Sequence, residues 1–416
     1  MGGGLIQLVA QGAETMYLTG NPKMSYFKCV YRKYTNFATE YIEENFNNTV
    51  DFGKTAYCKL PRNADLIHKI YIKVKLPALK QTDSGGDGSW VGYVNGIGNV
   101  LLKDISIEIG GQVIDRHFSN WNDIWGSLTM DDYSYNNMVG NYESDYSLRT
   151  NALEAKTYYI PLNFWFNKHI CSSIPLLALQ YHEVIMNVEF RSAAECITSD
   201  ISISSPLDSA SNTLAISDAS VLIEYIYIDT IERQRFANNS HEYLIDQLQT
   251  QTETIAANTT YKNIALNLFH PVKELFWVIQ KTANITPASS NNGNHMILYS
   301  DPSNNKETFL SSRLMLNGKP RYAYKDAKFF RLVQPMKTHS YIPDQFIYTY
   351  SFSINPEKYQ PSGSCNFGKI NISELELKFN SSTSAFFDVE RTIKIYATSY
   401  NIFKVQSGLG GVVFSN

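Results

Sequence analysis

The sequence predicts an all-β protein made of two tandem eight-stranded antiparallel jelly rolls, the double jelly roll, with short helices in the loops. Three observations carry that prediction. Tyr (28) and Phe (22) are abundant and 44% of the 416 residues are hydrophobic; this composition suits half-buried pleated surfaces and can fill two cores. Short alternating segments recur between polar turns, with no long helical periodicity and no βα alternation. The strand-like segments also come twice, in the same order.

Taken along the chain, residues 1–24 read as an arm, in which LIQLVAQGAETMYL places Leu5, Leu8 and Val9 on one helical face. The Asn21-Pro22 step ends that helix, because the residue before proline is pushed out of the helical region. Residues 25–230 read as the first roll. In KIYIKVKL, Ile70, Ile72, Val74 and Leu76 fall on one face and Lys69, Lys73 and Lys75 on the other, a strand wet on one side. In DISIEIGGQVIDRHF, Ile105, Ile107 and Ile109 alternate with Asp104, Ser106 and Glu108 before Gly110-Gly111. A Gly pair suits a two-residue hairpin turn, which requires positive φ at both central positions.

A linker is expected over 231–242, where IERQRFANN mixes charges without alternating and predicts a short helix. Residues 243–416 read as the second roll. ELFWVIQ answers KIYIKVKL, with Ile279 against Val74 at an offset of 205. RLMLNGKPRYAY answers the first hairpin, with Asn317-Gly318 at its turn and Gly318 against Gly111, offset 207. FSIN (352–355) faces FWFN (164–167), ELELKF (374–379) faces VIMNVEF (184–190), and IKIYATSY (393–400) faces IEYIYIDT (223–230). The offset falls at two places, so about 19 extra residues lie within 119–163 and about 18 within 191–222. Their sequence carries turn and loop chemistry, where insertion costs least.

Composition and motifs also exclude function classes. The formal net charge of −3 gives no bulk attraction for a polyanion, so no direct nucleic-acid contact is expected. Five scattered cysteines without a CxxC pair predict free thiols in a reducing compartment. The beginning of the sequence lacks the basic and long apolar regions of a signal peptide, and no apolar run approaches a membrane span. His182-Glu183 and His241-Glu242 fail HExxH at Met186 and Ile245. GIGNVL has Leu101 where a dinucleotide fingerprint needs its third Gly, and SGSCNFG misses the nucleophile elbow. No HxH pair, phosphate loop, metal site or cofactor site is present, and no enzyme is expected. A tandem-sandwich lectin is the alternative, resting on Trp90, Trp121 and Trp125 as exposed aromatics.

The segments YLTGNPKMSYFKCVYRKYTNFATE, IEIGGQVIDRH, IPLLALQYHEV, DTIERQRFANNSHEYLIDQLQ, PSGSCNFGKI and YNIFKVQSGLGGVVFSN resemble the major capsid proteins of nucleocytoplasmic large DNA viruses, especially the phycodnavirus type. The resemblance runs from about residue 2 to the end. It implies a homotrimeric pseudo-hexagonal capsomer that tiles an icosahedral shell over an internal membrane, in a virion assembled in host cytoplasm. It further implies that 80–99 and 282–307 are outward loops, that 119–157 and 321–344 build towers, and that the arm meets minor capsid proteins, with Leu5, Leu8, Val9 and Tyr17 as its contact residues. Asn284, in an Asn-Ile-Thr sequon of the second outward loop, is the glycosylation candidate. The extra segments 119–163 and 191–222 are expected to lap onto a neighbouring subunit.

Overall fold

The computed structural model describes residues 3–79, 91–142, 145–199, 214–285, 295–300, 306–382 and 384–414. The chain divides into two compact units, Met1–Asn36 and Phe37–Asn416.

In the smaller unit the arm forms two helices, Gly3–Val9 and Ala13–Thr19, instead of one. Gly12 breaks them: it sits in extended conformation and caps the second helix. Asn21 then takes a positive φ of 49° before Pro22, a left-handed conformation that Asn tolerates better than most residues.

Among the described residues of the larger unit, eight main strands form the first sandwich: β1 Phe37–Asn45, β2 Thr55–Lys59, β3 Leu66–Leu76, β4 Leu102–Ile109, β5 Gln112–Phe118, β6 Lys156–Pro161, β7 Val184–Phe190 and β8 Asp218–Ile228. Eight more form the second: β9 His241–Ile255, β10 Tyr261–Ala265, β11 Pro271–Lys281, β12 Ser311–Leu316, β13 Lys319–Pro320, β14 Tyr348–Ser351, β15 Ser373–Lys378 and β16 Arg391–Gln406. The sheet orders are β1-β8-β3-β6 and β2-β7-β4-β5 in the first, and β9-β16-β11-β14 and β10-β15-β12-β13 in the second. Adding eight to each number of one half gives the other half. All these pairings are antiparallel, so the protein is a double jelly roll.

The alternation read in the sequence sets each core. Ile70, Ile72, Val74 and Leu76 point inward from β3, and Ile105, Ile107 and Ile109 oppose them from β4. Strands β3 and β11 are both 11 residues long and stand 205 positions apart throughout. Gly110 and Gly111 have φ of 60° and 83°, and Asn317 and Gly318 have 48° and 74°; both hairpins close on left-handed pairs.

Two expectations are corrected. FWFN is a helical turn, Trp165–Lys168, and FSIN is a bend; each follows the true equivalent strand, β6 or β14. Their apolar residues made them look like strand, a confusion that short apolar runs invite. The first extra segment is helical rather than loop: Ser119–Thr129, Asp132–Val139 and Asp145–Ala152 precede β6. Residues 200–213 of the second extra segment lie outside the described residues. Between the rolls runs the helix Thr230–Asn238, capped by the Asp229 carboxylate, which accepts from Glu232 N–H.

Candidate assembly interface

The helix Ser119–Thr129 leaves β5 directly and is buried from Ser119 to Leu128. Trp121 and Trp125 stand four residues apart, hence on one face. That face lies on the outer side of the second roll's sheet. The Trp121 ring is 5.2 Å from Phe276 of β11 and 5.9 Å from Tyr396 of β16, and Trp125 is 6.4 Å from Phe276. Around the rings a polar rim fixes register. Lys394 of β16 donates to Asn120 Oδ1 at 2.8 Å, and Asn120 Nδ2 donates to the Met296 carbonyl at 3.1 Å. Tyr299 donates to Asp123 at 2.8 Å. Burial pushes the Asp123 carboxyl up to about 7 against the help of Tyr299 and Asn99, so it approaches the neutral acid at mild pH.

A buried ionic seam continues the junction. Asp246 of β9 holds Lys273 of β11 at 2.6 Å and Lys168, from the helical turn after β6, at 3.4 Å. Burial opposes the charge on Asp246, but the two ammonium groups bring it down to about 2. Lys168 also lies over the Trp125 ring at 3.9 Å. His339 sits between Glu274 at 3.2 Å and Glu357 at 3.1 Å, its side chain wholly buried. The Glu274 contact is an ion pair without hydrogen-bond alignment, since His339 Nε2 and both Glu274 oxygens have no hydrogen-bond partner. Burial disfavours the imidazolium, yet the two carboxylates raise it to about 9. Farther along, Leu248 N–H donates to Asp115 at 3.0 Å and Gln247 to the Ile114 carbonyl at 2.6 Å. The rolls are therefore joined by an aromatic wedge, the Lys168–Asp246 ion pair and crossed hydrogen bonds.

The turn residues occupy two separate hairpins. A Cβ on Gly110 would lie 2.2 Å from His182 Nδ1, whereas Gly111 and Gly318 face open space. Within the arm Leu5, Leu8, Val9 and Tyr17 are exposed, Tyr17 at 92%. Asn284 lies half-buried in the short helix Thr282–Ile285, its carbonyl accepting from His295 N–H; most of its outward loop is outside the described residues, as is most of 80–99. Trp121 and Trp125, expected as exposed, are 1% and 4% accessible, so they cannot stack on a sugar, and the lectin alternative loses its support. Trp90 is outside the described residues. The helix they occupy packs within its own chain, which corrects the expectation that 119–129 laps onto a neighbour.

His182 Nδ1 lies 3.1 Å from Gly410 N–H, and His241 stacks on Phe236 at 4.9 Å and meets its carbonyl; both pack structurally. Among the described residues no group of three or more His, Cys, Asp or Glu could hold a metal, and all five cysteines are free. No described helix is long and apolar enough to cross a membrane. Sequence reasoning missed Asp246, Lys273, Lys168 and His339. The available signal was a charge inside an apolar run, as in YLIDQL and PVKELFWV; the strand of PVKELFWV is buried on both faces and leaves no wet side for it.

Comparison with known proteins bears on this geometry. The family profile described as major capsid protein N-terminus matches residues 25–229, and that of the large eukaryotic DNA virus major capsid protein matches 232–411. The major capsid protein of Pyramimonas orientalis virus is 37% identical over 445 aligned positions, and that of Paramecium bursaria Chlorella virus 1 is 36% identical over 457; both alignments cover all of each chain. Among solved structures, the quasi-atomic model of the PBCV-1 virus capsid superposes with a TM-score of 0.77 at 30% identity, covering 94% of this chain and 100% of that one. The Faustovirus major capsid protein shares the fold at 13% identity, with a TM-score of 0.74 over 95% of this chain and 94% of that one.

Proposed function

The chain belongs to the large eukaryotic DNA virus major capsid protein family, and from that premise we propose that it builds its virion shell as a homotrimer of pseudo-hexagonal outline. Its role is structural, and self-association into a capsid lattice follows from the family. The observation that carries the trimer is the repetition of one eight-strand topology in both rolls, locked side by side by the Trp121 wedge. Three such chains present six similar rolls, so a threefold object fills a sixfold lattice position with nearly equal edges. Closure at 120° needs head-to-tail contacts between chains, and obligate contacts of that kind bury about 2,000 Å² or more.

The division into an arm (1–24), two rolls (25–230 and 243–416) and a linker (231–242) serves this reading: the rolls tile and the arm binds partners. Its exposed Leu5, Leu8, Val9 and Tyr17 suit contact with minor capsid proteins beneath the shell, next to an internal membrane, during assembly in host cytoplasm. The protein acts by assembly rather than catalysis. Sedimentation velocity on the purified chain tests the capsomer directly: a species three times 47.2 kDa is expected, and a monomer at every concentration refutes it.

A further inference from the structure

The two rolls share a fold but not a burial pattern. On β11 the outer positions Glu274, Phe276, Val278 and Gln280 are all 0% exposed; the first roll's helix Ser119–Thr129 meets Phe276 and Gln280, and His339 meets Glu274. The same positions on β3, offset by 205, are Lys69, Tyr71, Lys73 and Lys75, exposed or half-buried. Tyr71 and Leu222 are direct neighbours across β3 and β8, as Phe276 and Tyr396 are across β11 and β16. Tyr41 and Tyr159 flank them on that face, 50% and 41% exposed, with the Tyr41 ring 6.4 Å from Tyr71. An aromatic sheet face that is covered in one roll is open in the other.

The covering device is also present twice. Between β13 and β14, where the first roll carries its wedge between β5 and β6, the second carries the helical turns Phe329–Val333 and Gln334–Thr338. These hold Phe330, Gln334 and Pro335 against their own roll and turn Leu332, Val333 and Met336 outward, Met336 at 77%. Among the described residues, one wedge is used on one face, and one wedge and one face are left open.

We propose that the wedge formed by Leu332, Val333 and Met336 docks on the Tyr71–Leu222 face of a second copy of this chain, repeating between chains the contact that Trp121 makes within one. The contact repeats the one made within the chain, so each chain offers one wedge and one face. Such a head-to-tail contact closes a ring when three chains supply six rolls. Burying an apolar wedge on aromatic rings is the arrangement that concentrates binding energy at an interface centre. This inference rests on the trimeric capsomer and specifies its surface.

The test uses the full chain. Met336→Asp places a charge on an exposed position and leaves the roll's core untouched, so its melting temperature should match the wild type measured as monomer. Its trimer dissociation constant should rise at least about tenfold by sedimentation velocity. A Leu222→Cys, Met336→Cys pair in a Cys29→Ser, Cys171→Ser background should form interchain disulfides under mild oxidation. A trimeric wild type with an equally trimeric Met336→Asp and no cross-link overturns this surface while the capsomer stands. A monomeric wild type overturns the capsomer, and this proposal with it.

Discussion

Trp121→Ala is the most direct probe of how the two rolls are held together. The indole is 1% exposed and touches the Phe276, Tyr396, Trp125 and His117 rings. A buried Trp removes about 150–250 Å² from water, and at about 25 cal/mol per Å² that burial is worth roughly 4–6 kcal/mol. Its indole N–H has no hydrogen-bond partner, so no hydrogen bond is lost to add to the figure. Large-to-small changes in cores cost about 3–5 kcal/mol once partial collapse is counted, and both routes agree. Against a total stability of roughly 5–15 kcal/mol, that loss is large. Urea unfolding followed by Trp fluorescence and far-UV circular dichroism should show a midpoint lowered by that amount, with the two rolls unfolding in separate steps. A loss under about 1 kcal/mol, the size expected of a surface change, would refute the wedge as the structural joint.

The ionic seam makes stability depend on pH. The imidazolium of His339 is raised from an ordinary 6.5 to about 9, so its stabilising contribution is complete below pH 6.5 and is lost as pH rises through about 9. Urea midpoints for the wild type should therefore fall between pH 6.5 and 10 relative to His339→Gln, and parallel profiles would refute the pairing with Glu274 and Glu357. The hairpin turns offer an internal comparison. Gly111→Val and Gly318→Val should each cost about 1–2 kcal/mol, because a β-branched residue is forced to positive φ. Gly110→Val should cost more, since its new Cβ also meets His182. Equal melting temperatures for Gly110→Val and Gly111→Val would show that the His182 contact is not rigid.

Period-two alternation placed Ile70, Ile72 and Val74 inside and Lys69 and Lys75 outside, and the repetition of that pattern marked β11 as the counterpart of β3 at an offset of 205. Turn chemistry did the same for the hairpins, because few residues other than Gly and Asn tolerate positive φ. Such features are local, and a strand's own side chains state them. The sequence could not state which outer face would be covered. KELFWVIQ reads as apolar on both sides, but that its even side meets Trp121 and Trp125 depends on a helix about 150 residues earlier, in a segment whose composition reads as loop. Asp246, Lys273 and Lys168 likewise become one seam only when three elements from two rolls converge.

What the sequence by itself determined is the repeated sandwich: where most of the strands lie, which faces are greasy, and where the chain reverses. What only the tertiary structure decided is the contact between the rolls, and with it which surfaces are used and which are left open. The reason is range. Alternation and turn geometry are properties of a few adjacent residues, whereas burial of a second sheet face and pairing of buried charges arise from segments that meet only after both sandwiches have formed.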